Sequence, residues 1–210
     1  MKKATGKFIT FEGGEGTGKS TQTVLLADYL NDQGHKVLLT REPGGSDGAE
    51  LIRALLVSGD IGRWSPMTEV LLLYAARAEH WNSVIEPALK RGEWVICDRF
   101  ADSTLAYQGY GHGVDRVFIN KLYASVIGTV QPDWTFVFDL DPEVGVQRAL
   151  KRHTSENRFE HMDMQFHNRV RAGFLKIAQQ NTQRCHIIDA NQSVYAIHKE
   201  IASVVTKDLS

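Results

Sequence analysis

The chain has 210 residues, 42% of them hydrophobic and 23% charged, with a formal net charge of −1. These are globular proportions, sufficient for one large core and a single domain. A charge near zero excludes a general attraction to nucleic acid or an anionic membrane, so any anion site is local. In chain order, apolar β-rich runs occur at Lys7–Phe11, Lys36–Thr40, Trp94–Cys97, Trp134–Leu140 and His186–Ile188, and the first four are each followed by a loop and a helical pattern. Short strands with few polar positions, alternating with helices, predict an α/β fold with a five-stranded parallel sheet covered by helices. The first helix carries Val24, Leu25, Ala27, Tyr29 and Leu30 and stops before Gly34, a residue suited to the left-handed turn after a helix. Ser65, Pro66 and Glu69 read as N-cap, first position and acidic first turn of a later helix, whose continuation Pro87 should end or kink. Between Arg152 and Asp163 the apolar residues thin out, marking a candidate lid at about 152–163 or a solvated hairpin tip.

The start, Lys2, Lys3 and Lys7 followed by Glu12 and glycines, breaks any signal-peptide core, and no 18-residue apolar stretch exists, so a soluble protein is expected. Cys97 and Cys185 lack metal or redox spacing and read as reduced thiols of a cytoplasmic protein.

The strongest motif joins the first strand to the first helix. Gly13, Gly18, Lys19 and Ser20 fit G-x-x-x-x-G-K-[ST], within Gly13-Gly14-Glu15-Gly16-Thr17-Gly18-Lys19-Ser20-Thr21. Glycines let the backbone N–H groups converge, the helix adds its positive end, and Lys19 adds a point charge, an arrangement that takes a polyphosphate. A nucleoside triphosphate with Mg²⁺ is the expected ligand, and Ser20 offers a hydroxyl to the metal. Asp98 closes the third strand, at the end where open α/β sheets place ligands, and suits the same metal; a cap or an ion pair with Arg99 is the plainer alternative. Arg41, Arg53, Arg77 and Arg99 stand near strand ends or on helices, and their convergence would neutralise an acceptor phosphate. Such an acceptor needs no general base, because a phosphate monoester is already ionised above its second pKa of about 6. No Ser-His-Asp grouping or metal-ligand spacing competes with this reading. The segment Asp98–Gly111 mixes aromatic, hydroxyl and amide groups able to read a flat base. Two rivals remain at this point: a kinase of another nucleoside or nucleotide, and a P-loop switch or assembly ATPase. Asn120-Lys121-Leu122-Tyr123 lacks the aspartate of the guanine-reading N-K-x-D motif.

Taken together these motifs resemble the bacterial thymidylate kinases, which transfer the γ-phosphoryl group of ATP to dTMP. The resemblance rests on the P-loop, Thr40-Arg41-Glu42-Pro43-Gly44-Gly45, Leu72-Leu73-Tyr74-Ala75-Ala76-Arg77, Cys97-Asp98-Arg99-Phe100, Ala106-Tyr107-Gln108-Gly109, Asp139–Gly145 and Asn157-Arg158-Phe159-Glu160. It implies a P-loop kinase fold and a homodimer, while the charge and the lack of an apolar span lead to the expectation of no nucleic-acid and no membrane partner. Glu15 would hold the 3′-hydroxyl of dTMP, and Arg41, Arg53 and Arg99 its phosphate, with Asp98 nearby. Arg77, Thr104 and Gln108 would read the thymine, while Tyr107 crowds the 2′ position. Arg148 would lie near the adenine, and Pro43 would follow a cis peptide. Because position 16 is glycine, the resemblance places the catalytic arginine in the lid, as Arg158. Two positions depart from the family pattern. Leu73 replaces an aromatic that stacks on thymine, leaving an apolar contact or compensation by Tyr74 or Phe100, and His112 replaces an arginine.

Overall fold

The computed structural model describes residues 6–151 and 158–207. Residues 152–157, the first half of the expected lid, lie outside the described residues. The strands are β1 (Phe8–Gly13), β2 (Val37–Arg41), β3 (Trp94–Asp98), β4 (Trp134–Asp139) and β5 (Cys185–Asp189). All pair in parallel, in the order β2-β3-β1-β4-β5. Each expected strand is present with ends shifted by one or two residues, within the usual uncertainty of boundaries.

Alternation along β1 divides its side chains between the two faces of the sheet. Ile9 and Phe11 join Leu26, Leu30, Phe136 and Ile201 under helices α1 (Lys19–Asp32) and, at the chain's end, α9 (Val194–Lys207). Phe8 points the other way and packs with Trp81, Ile85 and Phe100. Thr10 shares that second face and bonds Thr135 at 2.8 Å, and Glu12, next along it, reaches the carboxyl edge of the sheet. Truncating a fully buried ring such as Phe11 to alanine is expected to cost about 3–5 kcal/mol.

Between β2 and β3 run α2 (Asp47–Val57) and α3 (Pro66–His80). Ser65 caps α3 by accepting from the Thr68 N–H at 3.2 Å, with Pro66 in the first turn. Past His80 the chain stays helical through a π turn, Trp81–Ile85, into α4 (Glu86–Arg91). Pro87 therefore neither ends the run nor leaves it regular. Proline has no N–H to donate, and the wider turn just before it, where the Glu86 N–H reaches back to Trp81, absorbs the missing bond. After β3 come α5 (Ala101–Thr104), a second π-helical stretch Leu105–Gly111, and α6 (Arg116–Val126). The helices α7 (Pro142–Leu150) and α8 (Met164–Gln180) bracket the lid region.

Candidate active site

The P-loop leaves β1 at Gly13 and enters α1 at Lys19, with positive φ at Gly13, Gly16 and Gly18. Lys19 is only 6% exposed, and its amine curls over the loop, donating to Gly14 O at 2.7 Å, Gly13 O at 3.1 Å and Thr17 Oγ1 at 3.2 Å. Burial, reinforced by the Arg99 charge, lowers its pKa to about 8. The Ser20 hydroxyl donates to Asp98 Oδ2 at 2.5 Å, bringing the two expected metal-side oxygens together across the β1–β3 edge. A hydroxyl and one carboxylate suit Mg²⁺, which keeps several waters and uses few protein oxygens.

Gly16 has a steric reason to be glycine. A Cβ built there would lie 2.0 Å from Gly145 O and 3.1 Å from the Arg148 Cβ, at a φ of +63°. Gly145 is held reciprocally, since a Cβ on it would meet Glu15 O at 2.4 Å. The loop is thus clamped against α7, and Arg148, on the exposed side of that helix, stands beside Gly16. A basic residue at 16 has no room unless α7 moves.

Arg99 sits at the junction of both halves of the site. Its φ of 67° is the left-handed conformation, costing roughly 1–2 kcal/mol for a residue with a Cβ. The surroundings hold it there: its N–H donates to Phe11 O at 2.9 Å, and Nη1 to Gly13 O at 2.8 Å and Ser103 Oγ at 3.3 Å. Nη2 donates to Glu15 Oε1 at 3.0 Å, which also accepts from the Tyr107 hydroxyl at 2.6 Å. Burial alone would raise the Glu15 pKa, but Arg99 and Lys19 outweigh it and hold it down at about 2. Beneath them, Glu12 accepts from the Phe100 N–H at 2.8 Å and the Ser103 hydroxyl at 2.5 Å. Its burial, with Asp102 close by, pushes it up to about 7.

Arg41, Arg53, Arg77 and Arg99 all line one cleft of about 300 Å³ that begins at the P-loop. Arg41 pairs with Glu50 at 3.0 Å, and Arg53 Nη1 donates to Pro43 O at 2.7 Å in the loop after β2, where the Glu42–Pro43 peptide is cis. Arg77 is 2% exposed, with Nε on Glu42 Oε2 at 2.8 Å and Nη2 on Thr104 Oγ1 at 3.1 Å. Glu42 in turn contacts His80 Nδ1 at 3.2 Å, and His80 Nε2 lies 2.7 Å from Thr40 Oγ1. The Arg77 guanidinium also lies 4.7 Å from the Tyr74 ring centre and 5.3 Å from that of Phe100. Leu73 and Phe100 line the cleft, whereas Tyr74 supports Arg77 from behind. Gln108, on the π-helical stretch, donates Nε2 to Glu69 Oε2 at 2.9 Å. Two buried polar atoms of the cleft's lining residues have no partner among the described residues: Arg77 Nη1 and Gln108 Oε1.

In the described half of the lid, Phe159 and Glu160 line the cleft, with the Phe159 ring edge-on to Tyr107 at 5.6 Å. Arg158 does not join them. It is 5% exposed and turned toward α2 and α3, donating to Leu56 O at 3.0 Å, Asp60 O at 3.3 Å and Glu69 Oε1. His112 Nε2 lies 3.9 Å from Glu69 Oε2.

Glu12, Glu42, His80, Glu69 and Ser103 are contributions not expected from the motifs. Glu69 carried a usable signal, because Glu69, Leu73 and Arg77 recur at intervals of four and so share one face of α3. Glu12 follows Thr10 on the period-2 face of β1. Glu42, His80 and Ser103 had no local signature, since their partners lie on other elements.

A parallel sheet with a P-loop at its centre, and a second, arginine-lined pocket opening from the same loop, defines a P-loop kinase. The family model for thymidylate kinase matches residues 11–201. The chain is 52% identical over 204 residues to the thymidylate kinase of Caulobacter vibrioides, covering 97% of this chain and 98% of that one. It is 50% identical over 206 residues to that of Ruegeria pomeroyi, covering 98% and 97%. Among solved structures it is similar to thymidylate kinase from Ehrlichia chaffeensis, with a TM-score of 0.78 and 41% identity over 96% of this chain and 99% of that one. The chain belongs to the thymidylate kinase family. Among the described residues no helix is long and apolar enough to cross a membrane.

Proposed function

We infer that the chain phosphorylates dTMP to dTDP, with ATP as the donor and Mg²⁺ as the metal. The observation that carries this reading is one continuous cleft with a triphosphate cradle at one end and, at the other, a buried donor and a buried acceptor left over at Arg77 and Gln108. Thymine presents an acceptor at O4 and a donor at N3, the complement of that pair. Cytosine presents the reverse, so both contacts would become mismatched. Leu73 and Phe100 supply the apolar walls for the ring.

The backbone of Gly13–Ser20, with Thr21 in the first turn of α1, binds the donor phosphates, and Arg148 lies where the adenine would leave the loop. Ser20 and Asp98 would hold Mg²⁺, which would supply positive charge against that of the phosphates. Arg41, Arg53 and Arg99 bind the acceptor phosphate and position its oxygen for in-line attack. That oxygen is already ionised, so the residues have no proton to remove and act by alignment and charge compensation. Glu15, ionised at its pKa of about 2, accepts from the 3′-hydroxyl, and Tyr107, fixed on Glu15, fills the space a 2′-hydroxyl would need. Arg158 supplies charge at the transferring phosphoryl group once it leaves Glu69. Exposed Leu51, Leu55, Met67, Leu71 and Val117 on the adjoining helices α2, α3 and α6 support a homodimer.

Coupled ADP release measured with dTMP, dCMP and UMP tests the assignment. Each reversed buried hydrogen bond costs about 1–3 kcal/mol, so dTMP should lead dCMP by roughly 30-fold or more in kcat/KM. Equal rates would overturn the thymidylate reading, and slow hydrolysis independent of any acceptor would identify a P-loop switch.

A further inference from the structure

Gln108 can read a base only if its amide faces a fixed way, since a carboxamide offers an acceptor on one side and a donor on the other. Glu69 removes that ambiguity. Its Oε2 lies 2.9 Å from Gln108 Nε2, and a carboxylate accepts but does not donate. Its other oxygen accepts from Arg158. Gln108 Oε1 is thereby left as the buried atom with no partner, in a side chain 1% exposed. Glu69 is itself 1% exposed and lies two helical turns before Arg77 on the same face of α3. One helix therefore carries both the donor Arg77 and the residue that orients the acceptor.

We propose that Glu69 is a specificity-determining positioning residue: by taking the Gln108 N–H it presents the Gln108 carbonyl to the base, and so selects pyrimidines with a protonated N3 over those with an unprotonated one. The proposal rests on the reading of Arg77 and Gln108 given above. In the native site Gln108 cannot turn its N–H to cytosine N3 without setting its carbonyl against the Glu69 carboxylate. With glutamine at 69 either amide can donate and either can accept, and Arg158 at the other atom of residue 69 favours the inverted pair, in which the new amide donates to the Gln108 carbonyl. The inverted pair would then satisfy cytosine N3, while Arg77 continues to oppose the cytosine amine.

The test measures kcat and KM for dTMP and dCMP in the native protein, Glu69→Gln, Gln108→Leu and the double variant, each checked for a native melting transition. Glu69→Gln should lower the dTMP/dCMP ratio of kcat/KM by about tenfold or more, chiefly through KM. In the Gln108→Leu background the same change should leave the ratio where Gln108→Leu put it. Should Glu69→Gln fail to fold, Glu69→Asp withdraws the acceptor while keeping the charge and should lower the ratio in the same direction. An unchanged ratio in Glu69→Gln beside a lowered one in Gln108→Leu would overturn the proposal and leave the base-reading assignment intact. An unchanged ratio in Gln108→Leu would overturn the assignment itself. A change in kcat equal for both nucleotides would show that Glu69 acts only through Arg158, and would also overturn the proposal.

Discussion

Lys19 is buried where its charge is poorly compensated, and the mismatch has a measurable sign. Its amine is buried, its nearest oxygens are the carbonyls of its own loop, and Arg99 adds a like charge, so its pKa falls to about 8. At pH 7 roughly 0.1 of the amines are neutral, and at pH 8.5 roughly 0.8. A bound polyphosphate favours the ammonium form, so ATP binding must return that missing proton. Isothermal titration with ATP in buffers of different ionisation enthalpy should show an uptake of about 0.8 proton at pH 8.5 and about 0.1 at pH 7. Affinity should fall about tenfold from pH 7 to pH 9 for the same reason. Lys19→Met should abolish the difference and, by removing a charge closest to the transferring group, lower kcat by roughly 10²–10³. The same shift bears on folding. The folded pKa lies below the unfolded value of 10.5, so the buried charge penalises the apo fold below pH 8 and the penalty fades as pH rises from 8 to 10.5. Lys19→Met should therefore melt higher than the native apo protein at pH 7. An uptake that is equal at the two pH values, or that survives in Lys19→Met, would show that Lys19 is not the group that takes up the proton.

Arg158→Ala should lower kcat by roughly 10³ with KM for dTMP little changed, if Arg158 reaches the phosphoryl group in the closed state. A loss of thermal stability with kcat retained would instead fix its role at the Glu69, Leu56 and Asp60 contacts. Glu42→Ala strips the buried Arg77 of its carboxylate and should cost about 3–5 kcal/mol in urea denaturation, against less than about 1 kcal/mol for Glu50→Ala at the exposed Arg41 pair. Gly16→Arg should not create a new catalytic arginine. With Gly145 O only 2.0 Å from the required Cβ, it should reduce ATP affinity and lower the melting temperature.

The fold was legible because a parallel sheet writes itself as short apolar runs between helices, and the sheet order places the ends of the first and third runs side by side. The two ends of the cleft were legible for different reasons. The P-loop is a contiguous motif whose glycines and lysine state their purpose locally, while the four arginines carried meaning only through convergence, which the resemblance supplied. What stayed hidden was the layer behind them. Glu69 reads in sequence only as the acidic residue of a helix's first turn, yet it is buried, with Arg158 and Gln108 arriving from segments 89 and 39 residues away. Likewise the π-helical stretch that carries Tyr107 and Gln108 has no composition that separates it from an α-helix. Pro87 shows the converse: the irregularity was expected at the proline and appears as a wide turn just before it.

In the function proposed above, Arg77 Nη1 and Gln108 Oε1, the leftover donor and acceptor of this cleft, form the thymine site. A crystal structure with dTMP and a non-hydrolysable ATP analogue tests it most directly. Thymine should lie between Leu73 and Phe100, with O4 about 3 Å from Arg77 Nη1, N3 about 3 Å from Gln108 Oε1, and the phosphate among Arg41, Arg53 and Arg99. A base bound elsewhere, or one whose N3 is out of reach of the Gln108 carbonyl, would rule this out.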